Sequence, residues 1–170
     1  MKWTKAELLQ AKNCTICFDE QIEFDENAIS KISHLRKLRD VTVSGDIHYD
    51  ESSKLALANL EIDGIMSVPC SITLEDVEYP FSTTSEEVYT FDKGNDNPDV
   101  HETKGDIVEL YPVIFQLIVA EVPLKVIKEG ITSYPKGNGW EVVREEDVLS
   151  AKKDTIDPRL AKLRDFKIEE

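Results

Sequence analysis

The stretch "DVTVSGDIHYDESSKLALANLEIDGIMSVPC", residues 40–70, decides the fold. Apolar residues fall on alternate positions twice over. Val41, Val43, Ile47 and Tyr49 share one parity before "DESS", and Ala56, Ala58, Leu60, Ile62, Met66 and Val68 share one parity after it. A period of two is that of a half-buried strand, and a polar turn between two such runs implies an antiparallel pair. The polar residues at the intervening positions then belong on the opposite face.

Working outward, "DVEYPFSTTSEEVYTF" (76–91) extends the pattern after the turn signal "TLED", with a break expected near its middle. On the other side, "CTICFDEQIEF" (14–24) alternates through Cys14, Ile16, Phe18, Ile22 and Phe24. Short connections favour a meander over strand–helix–strand units. Thr4 and Glu7 in "WTKAELLQAK" form a capping box for a short first helix. "DENAISKISHLRKL" (25–38) suggests a helical turn or two carrying a basic island. "DKGNDNPDVHETKG" (92–105) reads as a polar, mobile loop. "DIVELYPVIFQLIVAEVP" (106–123) reads as a helix capped by Asp106 or Glu109, with Pro112 either kinking it or marking its start. Its apolar residues lie nearly all round, which implies burial. "PKGNGWEVV" marks a turn, and "DPRLAKLRDF" offers Asp157 as N-cap and Pro158 as first residue of a closing helix.

The expected fold class is therefore α+β: an antiparallel β-meander or partly open barrel, one buried helix, and helical N- and C-terminal segments. The expected organisation is a single domain over 1–150 and a charged C-terminal segment with a short helix over 151–170.

Charge is uneven. The net charge is −14; residues 31–39, "KISHLRKLR", hold four cations and no acid, whereas residues 40–151 hold 7 basic against 23 acidic residues. Residues 152–170 hold 6 basic against 5 acidic. A body this acidic repels a phosphate backbone, so broad nucleic-acid binding through it is excluded, while a basic partner would be attracted. Solubility alone also explains such acidity. Candidate contacts to RNA or a partner are Lys31, Arg36, Lys37 and Arg39, with Arg159, Lys162 and Arg164 in the tail; the alternative is a solvated helix face. No run reaches the roughly 20 apolar residues of a membrane span, and no leader-like start is present, so a cytoplasmic protein without membrane contact is expected.

The three cysteines suit a reducing compartment rather than a disulfide framework. Cys14 and Cys17 in "CTIC" make half a zinc site, which Cys70 with His34, His48 or His101 could complete. Strand parity opposes this, because residues three apart on a strand face opposite ways. Cys70 continues the apolar parity of the strand before it and reads as a small core residue. No ordering of nucleophile and base implies an enzyme, and no cofactor is implied.

The middle and end of the chain resemble the YceD family, the proteins named for large ribosomal RNA subunit accumulation. The resemblance is carried by "VTVSGDIHYDESSKLALANLEIDGIMSVPCSITLEDVEYPF", by "GDIVELYPVIFQLIVAEVPLKV" with its Val122-Pro123 exit, and by "DPRLAKLRDF". Where many relatives have C-x-R-C-L, this chain reads Cys70-Ser-Ile-Thr73-Leu74, and "LKVIKEGITSYPKGNG" supplies no further Cys or His. A metal site suspected in the family is thereby dismantled. The resemblance implies a non-catalytic factor in large-subunit RNA accumulation or subunit assembly. Its implied partner is ribosomal RNA or a pre-large-subunit particle, with a basic ribosomal protein as a further candidate. An acidic chaperone for one basic ribosomal protein and a zinc module built on Cys14, Cys17 and Cys70 are the competing readings.

Overall fold

The computed structural model describes residues 1–94, 97–131, 134–143, 146–148 and 150. The chain forms two compact units, Met1–Lys128 and Glu129–Glu170. In the second, strands β8 (Lys136–Gly137) and β9 (Trp140–Glu141) make a small hairpin across the turn expected at "PKGNG". The closing helix expected at 157–166 lies outside the described residues.

The first unit is built on a five-stranded sheet in the order β2-β3-β4-β5-β6. Its strands are β2 (Thr15–Ile22), β3 (Lys37–Asp50), β4 (Leu55–Pro69), β5 (Asp76–Thr90) and β6 (Val100–Glu102). The four long strands pair antiparallel in sequence order, as a meander does. β2 and β6 remain separate edges, so the sheet is open and no barrel closes. Two expectations are corrected here. β5 runs unbroken through Pro80, because at that residue its outer side is unpaired and the missing N–H costs no ladder bond. The polar loop 92–105 contains β6, which pairs parallel to the end of β5 through Val88↔Val100 and Thr90↔Glu102.

The parity read from residues 40–70 becomes the core. Val41, Val43, Ile47, Ala56, Ala58, Leu60, Ile62, Met66 and Val68 are all buried. Gly45 sits among them on β3, opposite Leu60 of β4. A Cβ there would lie 1.9 Å from the Asn59 carbonyl oxygen, and the Phe18 ring fills the space a side chain would take. Phe18 in turn stacks on Trp3 of β1 (Lys2–Thr4), with ring centroids 5.1 Å apart.

Thr4 and Glu7 close the capping box at the start of helix α1 (Lys5–Gln10), which inserts Leu8 into the core. β1 pairs with β7 (Ile107–Glu109), which corrects the reading of 106–110 as a helical cap. The helical spacing from Ile107 was fortuitous: Pro112 lacks the N–H that a helix interior needs, and helix α3 starts beside it, as Tyr111–Ala120. Val113, Ile114 and Ile118 of α3 are buried in the same core, while Pro112 and Gln116 are exposed.

Candidate functional site

Register fixes which side chains share the outer face of the sheet. Four rows cross β2–β5: Thr15–His48–Leu57–Val88, Cys17–Asp46–Asn59–Glu86, Asp19–Ser44–Glu61–Thr84 and Gln21–Thr42–Asp63–Ser82. None of these sixteen residues is buried, five are carboxylates, and none is Lys or Arg. None of the five acids, Asp19, Asp46, Glu61, Asp63 and Glu86, makes an ion pair with a described residue. Neighbouring strands lie about 4.8 Å apart and same-face residues about 6.7 Å apart along a strand, so each of these charges has another within roughly one Debye length. A shallow groove of about 490 Å³ crosses the middle of the face between Asp46, Asn59, Glu61 and Glu86. Sequence reading missed this surface, although it had the signal: the positions between the apolar ones in 40–70 are these residues.

The basic island lies at one end of the same face. The expected helical carrier shrinks to the single turn α2 (Glu26–Ile29), capped by Asp25, and the cations follow it in a loop and in the start of β3. A β-bulge between Arg39 and Thr42, with Asp40 at φ 51°, resets the register. Lys37 then stands opposite Ser67, and Arg39 opposite Ile65. Arg36 binds the Asp76 carboxylate at 3.2 Å and the Leu74 carbonyl at 3.2 Å, and Arg39 pairs with Glu78. Lys31 and Lys37 are exposed and make no ion pair with a described residue. A groove of about 600 Å³ between the end of β2, α2 and this part of β3 brings Arg36, Lys37 and Arg39 together with Glu23, Glu26 and Asp40. Arg159, Lys162 and Arg164 lie outside the described residues.

Beyond the island, the β4–β5 turn holds Cys70, whose surface is wholly covered. Its sulfur accepts backbone N–H groups from Ile72 and Lys128, each at 3.4 Å. The Thr73 hydroxyl and then the N–H donors around the sulfur favour the thiolate over burial's opposition and bring the thiol down to about 6. Lys128 also binds Glu75 at 2.9 Å, which lowers the carboxyl and raises the ammonium. The other cysteines sit elsewhere: Cys14 is in a turn of left-handed backbone ahead of β2, its sulfur 3.9 Å from Glu51, and Cys17 is exposed on the outer face. Of the histidines, His48 bonds Thr15 at 3.0 Å and His101 bonds Glu87 at 2.7 Å. Among the described residues, no three His, Cys, Asp or Glu side chains gather as metal ligands. No described helix is long and apolar enough to cross a membrane.

The class is a mixed, strand-rich α/β fold whose open sheet presents charge of both signs. Comparison with known proteins sharpens the class. The family described as "Large ribosomal RNA subunit accumulation protein YceD" matches residues 58–167, and the chain belongs to that family. It is 35% identical over 170 residues to "Uncharacterized protein YlbN" of Bacillus subtilis (strain 168), covering 96% of this chain and 94% of that one. No solved structure matches.

Proposed function

We propose that this protein is a non-catalytic factor in large-subunit ribosomal RNA accumulation or assembly, acting by binding a pre-ribosomal particle. The observation that carries this reading is the segregation of charge along one sheet face. The five-carboxylate rows suit a Lys- and Arg-rich ribosomal protein. The island of Lys31, Arg36, Lys37 and Arg39, with Arg159, Lys162 and Arg164 of the tail, suits RNA phosphates.

The test is sedimentation of lysate through a sucrose gradient, with and without nuclease. Co-migration with a large-subunit precursor, abolished by nuclease, is the expected result. A protein that stays at the top of the gradient in gentle salt refutes particle binding. The Asp76 and Glu78 partners of Arg36 and Arg39 favour a second reading, because they leave fewer cations for RNA. In it, the protein is an acidic chaperone for one basic ribosomal protein, and the complex resists nuclease.

A further inference from the structure

Away from the charged face, the inner side of β5 ends in a buried group without a partner. Tyr89 follows the outer-face Val88, so it turns to the core side, and it is 3% exposed. Among the described residues, its hydroxyl is the one buried side-chain nitrogen or oxygen that makes no hydrogen bond. An unpaired buried hydroxyl weakens a fold, and it calls for a reason outside stability. Tyr89 also walls a cavity of about 280 Å³, which lies among the ends of β5 and β6, the β1–β7 pair and the start of α3. Burial and then the Glu87 charge raise the phenol, which stays protonated and able to donate.

The other polar groups of the cavity differ in what they already bind. Lys2 pairs with Glu109 at 2.9 Å, and the charge of Lys104 further lowers that carboxyl. Glu102 accepts the Gly94 N–H at 2.8 Å. His101 Nε2 is spent on Glu87 at 2.7 Å, and Glu87 also accepts the Ser85 hydroxyl at 2.7 Å. The carboxylates are thus answered within the chain. The Lys104 ammonium makes no ion pair with a described residue. It and the Tyr89 hydroxyl are both donors, and Ile107, Pro112 and Val113 supply apolar wall beside them.

We propose that this cavity binds a small organic carboxylate, whose oxygens accept from the Tyr89 hydroxyl and face Lys104 while its hydrocarbon part lies against Ile107, Pro112 and Val113. An amine would meet carboxylates that are already bonded. One ammonium and one neutral hydroxyl answer the single charge of a carboxylate better than the double charge of a phosphate. The volume falls just below the roughly 300–1,000 Å³ of sites for drug-sized molecules, so the ligand is smaller than those. The site is separate from the acidic face and the island and does not depend on the ribosomal reading.

The experiment is isothermal titration of the full chain with isobutyrate and with benzoate, benzamide serving as the uncharged counterpart, beside thermal unfolding without ligand. Saturable binding of at least one carboxylate is expected, with benzamide at least about tenfold weaker than benzoate. Tyr89→Phe should weaken carboxylate binding at least about tenfold, as loss of a hydrogen bond to a charged group does. Without ligand, the same variant should unfold at the wild-type temperature or above it, because an unpaired hydroxyl has been removed. Lys104→Ala, at an exposed position, should keep the fold and weaken binding too. Three results would each overturn the inference. One is no saturable binding of either carboxylate up to about 10 mM, or benzamide binding as well as benzoate. Another is binding indifferent to both Tyr89→Phe and Lys104→Ala. The third is a ligand-free Tyr89→Phe less stable than the wild type, which would show the hydroxyl already bonded, as to a buried water.

Discussion

The outer sheet face and the β4–β5 turn, both built on β4 and β5, handle charge in opposite ways. On the face, Asp46, Glu61 and Asp63 on β3 and β4 and Glu86 on β5 make no ion pair with a described residue. At the turn, Asp76, Glu78 and Glu75 are each answered, by Arg36, Arg39 and Lys128. Carboxylates paired within the fold serve its geometry. Carboxylates left open at strand spacing raise a negative field that salt screens and a cationic group would be drawn to. The core beneath the face and not the face itself supplies stability, so the face is free to be specialised for contact.

That difference can be broken most severely at its foundation. Gly45→Val should cost at least about 3 kcal/mol, because its Cβ meets the Asn59 carbonyl at 1.9 Å and forces β3 from β4. Ile62→Ala, beneath the acidic rows, should cost about 2–5 kcal/mol in urea unfolding. Glu61 on the next residue should behave otherwise. Glu61→Lys combined with Glu86→Lys should shift stability by no more than about 0.5 kcal/mol for each substitution while abolishing co-migration with the particle. Retained co-migration would remove the face from the proposed function.

At the turn the expected effects are smaller. Cys70 has a folded thiol at about 6 against the usual 9.0, so its contribution is complete above the unfolded value and is lost as pH falls through 6. The margin of the wild type over Cys70→Ser should therefore widen from pH 6 to pH 9, and a constant margin would show that the thiolate is not favoured. Smallest is the island. Arg39→Glu, facing Glu78 at an exposed site, should cost about 1 kcal/mol or less. The triple replacement of Arg36, Lys37 and Arg39 by Glu should weaken particle binding and flatten its salt dependence; unchanged binding would remove the island from the RNA contact.

β2, β4 and most of β3 were legible because their apolar residues recur on one parity, and Thr4 with Glu7 announced α1; β5 was placed but expected to break, since 82–87 carries no apolar residue. What stayed hidden depends on partners distant in sequence. Ile107 to Glu109 resembled a helix start until their pairing with Lys2–Thr4 made them a strand. Val100–Glu102 are three residues in a polar loop, too few to carry a period, and only the neighbouring end of β5 makes them β6. For the site, the parity of Asp46, Glu61 and Asp63 carried the signal of a common face that the sequence reading missed, and register added Glu86. The pairing of Arg36 with Asp76 and of Arg39 with Glu78 was not legible, since it depends on a bulge at Asp40 that no local residue pattern marks.

Pro80 has a consequence for how the protein survives at high concentration. Among the described residues, the outer side of β5 is unpaired from Asp76 to Glu87, a length of naked backbone on which foreign strands could template and grow into fibrils. Pro80 removes one of the N–H groups such growth would need, and Glu86, which makes no ion pair with a described residue, adds negative charge further along the same strand. One imino acid and one open carboxylate thus blunt the edge against strand-by-strand aggregation, and the sheet stays open without pairing to a copy of itself.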